Sequence, residues 1–325
     1  MRALVLQDYV SFVPAYQRPE ATAGEAIIRV TCAGVCNTDL ELVKGYMGFR
    51  GVLGHEFTGV VDQIDPGRGH AAGFRTGDRV VAEINCVALD SPSRDSFARA
   101  QDPARTTLGI AGRDGVFADY TRVPIANLHH IPKSISDDAA AFVEPLAAAC
   151  QILEQVHIKS TDRICVLGDG KLGLLCAQVL ATTGSELVAM GRHATKLDIL
   201  STRGISTQLA AEWDGKRNFD IVVECTGAAG GFDLARRMLR PRGILVLKST
   251  FEGLTSADLT AIVVDEISVV GSRCGPFQTA LRLLETRRVD VLPLIHARYP
   301  LDEGLQAFER ARQPGVLKVL IDVET

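Results

Sequence analysis

The chain has 325 residues, a length at which about two domains are expected. Its hydrophobic fraction of 46% and its charged fraction of 23% are ordinary for a folded globular protein. The formal net charge of −4 provides no electrostatic attraction to nucleic acid or to an anionic membrane, so we expect neither partner.

The distribution of apolar residues and cysteines indicates the compartment. The first residues lack the sustained apolar core of a signal peptide, and no apolar run reaches the roughly 20 residues that span a bilayer. The eight cysteines are scattered, mostly within apolar segments, and have no repeating spacing. This pattern favours buried free thiols over a disulfide framework, and we expect a cytoplasmic protein.

The first part of the chain is predicted to be rich in β-strand. Short β-branched runs lie beside glycine or turn residues at 24–30, 57–61 and 78–82. Residues 139–155 are rich in alanine and leucine, and they predict a helix that leads into a second domain.

From residue 163 onward, strand-like and helix-like segments alternate, which predicts an α/β fold with a parallel sheet covered by helices. The predicted strands lie at 164–167, 186–190, 219–224, 243–247 and 268–271, and the predicted helices at 172–182, 194–201 and 231–239. The strand-like run at 317–321 is expected to rejoin the first domain. We therefore assign 1–143 and 287–325 to a discontinuous β-rich domain and 144–286 to the α/β domain.

The first strand of the α/β domain ends in a dinucleotide-binding fingerprint, Gly168-Asp169-Gly170-Lys171-Leu172-Gly173. Gly168 permits the tight turn, Gly170 lets the backbone approach the pyrophosphate, and Gly173 allows close packing of helix against strand. Lys171 and Leu172 open the following helix, whose free amides and positive dipole end favour a phosphate. We assign these residues, apart from Asp169, to a cofactor-binding site.

The end of the following strand decides which nicotinamide cofactor fits. A carboxylate there would hold the ribose 2′-hydroxyl of NAD, but none occurs in the run Met190-Gly191-Arg192-His193-Ala194-Thr195-Lys196. Arg192 can form a forked contact with a 2′-phosphate, and His193 and Lys196 can add donors. We therefore predict NADP rather than NAD; the alternative interpretation is a solvated basic helix start.

A second group of residues offers metal ligands. Cys36 lies in the glycine-flanked turn Gly34-Val35-Cys36-Asn37-Thr38-Asp39, and it is followed later by Gly54-His55-Glu56 and by Glu144. One thiolate, one imidazole and two carboxylates can hold a zinc ion that keeps one position open. A metal that polarises an oxygen, combined with a cofactor that carries hydride, predicts an alcohol or ketone oxidoreductase.

Taken together, these motifs resemble the zinc-dependent medium-chain dehydrogenase/reductase family. The resemblance extends over essentially the whole chain and includes Gly77-Asp78-Arg79-Val80, Glu144-Pro145-Leu146, Cys225-Thr226-Gly227 and the Lys318 strand. It implies a GroES-like β-rich catalytic domain and a Rossmann domain with a doubly wound parallel sheet. Because Glu144-Pro145-Leu146 is similar to the polyol and threonine dehydrogenase branch, it also implies a small alcohol or carbonyl substrate and a homodimer or homotetramer.

The resemblance assigns roles to the candidate metal ligands. Cys36 and His55 would bind one catalytic zinc ion, and either Glu56 or Glu144 would complete the protein ligands; the residues alone leave both carboxylates open. Asp39 would orient the ring of His55 through a hydrogen bond.

Proton transfer and cofactor contacts are implied in the same way. The Thr38 hydroxyl would relay the proton of the alcohol. Glu41 stands where many alcohol dehydrogenases carry a histidine, so the outer part of that relay is not predicted. Thr226 and Lys318 are assigned to the cofactor site, Lys318 toward the phosphates.

The family usually carries a second, structural zinc ion on four cysteines. Laying that C-x2-C-x2-C-x7-C spacing onto the chain gives Ala88, Ser91, Arg94 and Asp102. Cys86 is the one thiol in this part of the sequence, so four-thiolate coordination is impossible. We predict no structural zinc, and a long polar loop or a short helix at residues 89–107.

Two other functional classes remain as alternatives. Zinc-free NADPH-dependent double-bond or quinone reductases share this fold but normally lack the Cys36 and Gly54-His55-Glu56 set. A non-catalytic NADP-binding relative is disfavoured by the intact ligand set, although a fold alone does not establish activity.

Substrate contacts are also left open by the sequence. Tyr46, Met47 and Phe49 follow the Cys36 turn and predict either an apolar pocket wall or a packed loop. Arg273 would meet either an acidic group of the substrate or the cofactor.

Overall fold

The computed structural model describes residues 1–93, 95–250 and 255–324. The chain divides into two compact units: the first unit comprises Met1–Glu144, Phe277–Glu285 and Val291–Thr325, and the second comprises Pro145–Pro276 and Thr286–Asp290. Phe277–Glu285 thus lies in the first unit, whereas the sequence assigned it to the α/β domain. The ring of Phe277 lies 5.4 Å from that of His129, and this contact ties the helix to the first unit.

Short strands dominate the first segment of the chain. In order, this segment contains β1 (Ala3–Leu6), β2 (Val10–Val13), β3 (Glu25–Val35), α1 (Asn37–Val43), β4 (Gly51–Val52), β5 (Glu56–Ile64), α2 (Pro66–Ala71), β6 (Arg79–Ala82), β7 (Asn85–Cys86), α3 (Ser96–Gln101), β8 (Thr106–Leu108), β9 (Gly112–Arg113), β10 (Tyr120–Pro124), β11 (Leu128–His130) and α4 (Asp137–Ala140).

Helices and strands alternate in the middle of the chain. This segment contains α5 (Val143–Gln155), β12 (Arg163–Leu167), α6 (Lys171–Ala181), β13 (Glu186–Gly191), α7 (Ala194–Ser201), β14 (Ser206–Leu209), β15 (Phe219–Glu224), α8 (Gly231–Met238), β16 (Leu239–Leu247), α9 (Leu259–Val264) and β17 (Ser268–Gly271). The chain ends with α10 (Phe277–Glu285), β18 (Ile295–Pro300), α11 (Gly304–Arg312) and β19 (Lys318–Asp322). Single 3-10 turns lie at Tyr46–Gly48, Ile125–Asn127, Ala210–Glu212, Leu292–Leu294 and Leu301–Glu303.

Strand β3, which has 11 residues, organises the first unit. It pairs antiparallel with β5, β10 and β19, and the main sheet runs in the order β11-β6-β5-β3-β19-β18. The residues of β3 are buried along most of its length, as expected for a strand that is covered on both faces. Its pairing with β19 brings the C-terminal strand back to this sheet, as the sequence predicted.

The second unit contains the parallel sheet that the alternating pattern predicted. Its strands pair in parallel in the order β14-β13-β12-β15-β16-β17. The strand order reverses at β12, and doubly wound folds bind their ligands at the carboxyl ends of the strands at such a point. Because the fingerprint follows β12 directly, the fold places it at this position. Among the described residues, no helix combines the length and the apolar character needed to cross a bilayer.

A buried ion pair holds the segment at residues 89–107. Arg99 on α3 donates to Oε2 of Glu83 over 2.7 Å, and Nε2 of His129 lies 2.9 Å from Oε1 of Glu83. The side chains of Arg99 and Glu83 are each 7% exposed. Burial raises the pKa of Glu83, but the hydrogen bonds from His129 and Arg99 outweigh burial and hold the pKa below its ordinary value. A charged cluster therefore ties α3 to the end of β6.

The same segment contains the positions that structural cysteines would occupy. The structure forms the short helix α3 here, one of the two forms that the sequence predicted. Oγ of Ser91 donates to Oδ2 of Asp102 over 2.9 Å, so two of the four positions are hydrogen-bonded to each other. Arg94, a third position, lies outside the described residues. The absence of a structural zinc ion stays a prediction.

Replacing Arg99 with alanine is expected to destabilise the first unit by about 3–5 kcal/mol, because the Glu83 carboxylate would stay buried without its guanidinium partner. Hydrogen exchange in peptides from β6 and α3 measures this loss of stability. Tryptophan fluorescence would not report it, because the one tryptophan, Trp213, lies in the second unit. Arg50→Ala is the control, because the Arg50–Asp8 pair is exposed and such pairs contribute at most about 1 kcal/mol. Equal losses of protection in the two variants would contradict the prediction.

The ion pair also predicts a pH dependence. Because folding lowers the pKa of Glu83, its contribution to stability is complete above the ordinary pKa of a glutamate and is lost as the pH falls through the lower pKa of the folded state. The difference in unfolding free energy between the wild type and Arg99→Ala should therefore shrink below about pH 4. Urea titrations at a series of pH values measure this difference in unfolding free energy. A difference that grows as the pH falls would contradict the prediction.

Candidate metal centre and dinucleotide site

Three candidate ligands meet at the ends of β3 and β5. These strands are antiparallel neighbours, and Gly34 pairs with Glu56. Cys36 follows β3 directly, and His55 precedes β5, so the register brings the two strand ends together. The ligand atoms of Cys36, His55 and Glu56 all lie within 4.8 Å of one another. His55 and Glu56 are buried, whereas Cys36 is half-buried and leaves one side of the cluster open.

Asp39 supports the cluster from helix α1. Its Oδ2 accepts the backbone N–H of Cys36 over 2.8 Å, a reciprocal cap that fixes where α1 begins. Its Oδ1 lies 3.3 Å from Nδ1 of His55, and its side chain is fully buried. Burial lowers the pKa of His55, but the charges of Asp39 and Cys36 outweigh burial and raise it well above its ordinary value. The cluster thus favours a positive charge at its centre.

Lys318 lies against the same cluster. Its ammonium group forms a buried ion pair with Oε2 of Glu56 and lies 3.5 Å from the carbonyl oxygen of Val35. Burial lowers the pKa of Lys318, but the charges of Glu56 and Cys36 outweigh burial, so the pKa lies above its ordinary value. The sequence assigned Lys318 to the cofactor phosphates and did not anticipate this ion pair. The role of Lys318 toward the cofactor stays a prediction.

The remaining candidates around the metal cluster lie in different surroundings. Oγ1 of Thr38 is 3.7 Å from Sγ of Cys36, which places a hydroxyl beside the cluster. Glu144 is half-buried near the start of α5 and does not belong to the group of ligand atoms within 4.8 Å. The carboxylate of Glu41 binds Lys44 over 2.7 Å at the surface. Thr38 therefore lies at the cluster, whereas the carboxylate of Glu41 binds Lys44 at the surface.

The residues considered for substrate contact differ in burial. Tyr46 and Met47 are 44% and 60% exposed, whereas Phe49 is buried in the apolar core of the first unit. Arg273, in the second unit, is exposed and donates to Sγ of Cys274 over 3.2 Å. Phe49 is thus a packed residue, and the other three remain accessible.

The fingerprint turn is closely packed except where a cofactor would approach. Gly168 has φ +128°, and a Cβ at this residue would lie 2.5 Å from the carbonyl oxygen of Cys225. A Cβ at Gly173 would lie 2.0 Å from the carbonyl oxygen of Gly168. By contrast, a Cβ at Gly170 would meet nothing within 4 Å. Gly170 is the N-cap residue of α6, so open space lies in front of the helix start, where Lys171 and Leu172 follow.

The end of β13 carries the basic side chains that the sequence selected. Arg192 and His193 are exposed, and Lys196 is half-buried on the first turn of α7. Thr226, after β15, donates from its backbone N–H to Oε1 of Glu224 over 2.7 Å. Sequence reasoning missed Asp169, whose carboxylate reaches the end of β13. The sequence contained a sign of this role, because Asp169 places a carboxylate between the first two glycines of the fingerprint.

The fold and the two sites define the class of this protein, an oxidoreductase built from a GroES-like domain and a Rossmann domain. Residues 22–133 match the model of the alcohol dehydrogenase GroES-like domain, and residues 137–323 match that of the glucose dehydrogenase C-terminus. The chain belongs to the zinc-dependent medium-chain dehydrogenase family, and it is an alcohol dehydrogenase-type enzyme.

Individual relatives match over the whole length. The chain is 29% identical to a sorbitol dehydrogenase of Halalkalibacterium halodurans, with 99% of each chain covered. It is 27% identical to a 2-dehydro-3-deoxy-L-galactonate 5-dehydrogenase of Pseudoalteromonas atlantica, with 92% of each covered. A thermostable alcohol dehydrogenase from Pyrobaculum aerophilum superposes with a TM-score of 0.86 at 27% identity, over 99% of each chain.

Replacing Gly173 with valine is expected to weaken cofactor binding at least about tenfold, because the new side chain would collide with the backbone of the fingerprint turn. Titration of the protein with NADPH, followed by fluorescence, measures the dissociation constant. Gly184→Asn is the matched control: Gly184 has φ +80° and nothing within 4 Å of a Cβ, and asparagine tolerates that backbone conformation. Unchanged affinity in the Gly173 variant would show that this turn does not bind the cofactor.

Proposed function

We propose that this enzyme uses zinc and NADP to transfer a hydride between the cofactor and a small secondary alcohol or its ketone. The observation that carries the proposal is the meeting of a thiol, an imidazole and a carboxylate within 4.8 Å in the first unit. The zinc-free alternatives normally lack this set of residues, which is why the zinc-dependent class is preferred.

The donor set fits a zinc ion. Zinc prefers sulfur, nitrogen and oxygen ligands in a four-coordinate site, and catalytic sites keep one position for substrate. Oε1 of Glu56 is buried and has no hydrogen-bond partner, so an acceptor is available for a cation. We propose that Cys36, His55 and Glu56 hold the ion, with Glu144 as the alternative to Glu56 for the third ligand. When bound, zinc would act as a Lewis acid toward the alcohol or carbonyl oxygen.

The protein's own residues would orient these ligands. Asp39 holds the backbone of Cys36 and faces the ring of His55, which restrains two ligands at once. Lys318 binds one oxygen of Glu56 and leaves the other free, so it fixes the direction of the carboxylate. The Thr38 hydroxyl lies next to Cys36 and would accept the proton of the alcohol.

The second unit would bind NADP, which supplies or accepts the hydride. The amides at the start of α6 would face the pyrophosphate, with Gly170 leaving room for its approach. Arg192, His193 and Lys196 would surround the 2′-phosphate that distinguishes NADP from NAD. Thr226 is proposed as a further cofactor contact.

The substrate class is proposed from the relatives. A sorbitol dehydrogenase and a dehydrogenase of a deoxy sugar acid both carry names of polyhydroxylated substrates. We therefore propose a polyol, or a related hydroxylated compound, as the first substrate class to test. Homodimer or homotetramer assembly, a cytoplasmic location and a single zinc ion per chain stay predictions.

Replacing Cys36 with serine is expected to lower the zinc content from about one ion per chain to near zero and to abolish dehydrogenase activity, because the thiolate ligand is lost. Elemental analysis of protein that has not met a chelator measures the zinc. Cys86→Ser is the matched control, since burial raises the pKa of the Cys86 thiol to about 12 and keeps it protonated. Zinc lost from the control, or absent from the wild type, would overturn the metal assignment.

We expect Glu56, and not Glu144, to be the carboxylate that binds zinc. Glu56→Gln should weaken zinc binding at least about 100-fold, and Glu144→Gln by less than about tenfold, as measured by competition with a chromophoric chelator. Because Glu56→Gln also leaves the Lys318 ammonium without a carboxylate, the double variant Glu56→Gln with Lys318→Met isolates the effect on the metal. The opposite order of the two effects would make Glu144 the ligand.

A further inference from the structure

Asp169 links two parts of the candidate cofactor site that are far apart in sequence. It lies between the first two glycines of the fingerprint, and its side chain is 10% exposed. One oxygen, Oδ2, accepts the backbone N–H of Arg192 over 2.7 Å and that of His193 over 2.6 Å. The same oxygen lies 2.9 Å from Nδ1 of His193. Three donors from the end of β13 thus converge on a single carboxylate oxygen.

This carboxylate fills the space that the strand end leaves empty. A Cβ added to Gly191, the last residue of β13, would lie 2.6 Å from Oδ2 of Asp169 and 2.4 Å from its Cβ. In dinucleotide-binding folds, the acid that selects NAD belongs to the end of this second strand. Here the strand end has no side chain, and an acid from the neighbouring turn occupies its place. Any side chain at residue 191 would displace Asp169.

The contacts of Asp169 fix the backbone on which the basic residues stand. His193 is the N-cap residue of α7, and its own side chain makes no capping hydrogen bond. The first residues of the loop are held instead by their amides, which both donate to Asp169. Burial raises the pKa of Asp169, but the hydrogen bonds from His193 and Arg192 outweigh burial, so the carboxyl stays ionised at neutral pH.

We propose that Asp169 is the positioning residue that sets the preference for NADP, because it holds Arg192 and His193 in the arrangement that receives the 2′-phosphate. This inference rests on the proposed function, since it assumes that the second unit binds a nicotinamide dinucleotide. In this proposal Asp169 positions the loop instead of binding the ribose, since its Oδ2 accepts from three protein donors. Its charge is offset by the same donors, so that the guanidinium of Arg192 is left to face the phosphate.

The test compares two pairs of ligands, and the members of each pair differ only in the 2′-phosphate. Dissociation constants of NADP, NAD, 2′,5′-ADP and 5′-AMP are measured by calorimetry with the full chain. In Asp169→Asn, which keeps the shape of the side chain, affinity for NADP and 2′,5′-ADP should fall at least about tenfold. Affinity for NAD and 5′-AMP should change less than about threefold. Asp198→Asn, an exposed carboxylate on α7, should change none of the four.

Coupling between Asp169 and Arg192 separates positioning from a general loss of structure. Arg192→Ala should also weaken the ligands that carry the 2′-phosphate, and the double variant should bind them no more weakly than Arg192→Ala alone. Equal losses for NAD and NADP in Asp169→Asn would reveal a merely structural role and overturn the proposal. A larger loss for NAD would also overturn it, because it would make Asp169 the acid that binds the ribose.

The wild type distinguishes this proposal from the proposed function. If the wild type binds none of the four ligands, the proposed function fails and the inference with it. If the wild type prefers NADP and Asp169→Asn keeps the same preference, the proposed function stands and the inference fails. Because binding of the adenosine phosphates needs neither zinc nor turnover, the result does not depend on the metal site.

Discussion

The candidate metal centre depends on the antiparallel pairing of β3 with β5 and with β19. Gly34 lies opposite Glu56 on β5, and Val35 lies opposite Val319 on β19. These two ladders bring together Glu56 and Lys318, which are 262 residues apart in the sequence. Side chains alternate between the faces of a strand, so a slip of one residue in either ladder would turn one partner of the ion pair to the other face. The sheet register is therefore a condition for the site.

The buried charges at this centre explain why it favours a cation. Asp39, Glu56 and the Cys36 thiol surround His55 and Lys318, and the pKa values of both basic groups are raised because these neighbours outweigh burial. The neighbouring negative groups thus stabilise the charged forms of both His55 and Lys318. Ligand groups must be deprotonated to bind a metal, so a zinc ion would compete with a proton for the ring of His55.

Features that depend on neighbours in sequence could be predicted, and features that depend on distant partners could not. The fingerprint and the alternation of strands and helices follow from local patterns, whereas the grouping of Cys36 with His55 and Glu56 was implied by the family resemblance. Hydrophobic periodicity shows whether a side chain is buried but does not identify its partner. The ion pairs Lys318–Glu56 and Arg99–Glu83 thus appeared only in the structure. For the same reason, the sequence could not separate Glu56 from Glu144.

Three further buried carboxylates lie away from the metal cluster, and each is held by protein donors. Glu83 binds Arg99 and His129, Glu224 accepts the backbone N–H of Thr226, and Asp169 accepts the two amides at the end of β13. Among the carboxylate oxygens that the structure describes as fully shielded from solvent, those without a hydrogen bond are Oδ1 of Asp39 and Oε1 of Glu56. An unsatisfied buried acceptor costs free energy, so its presence requires a compensating interaction. Oε1 of Glu56 belongs to the candidate ligands, where a cation would provide that interaction, and Oδ1 of Asp39 lies 3.3 Å from Nδ1 of the ligand His55.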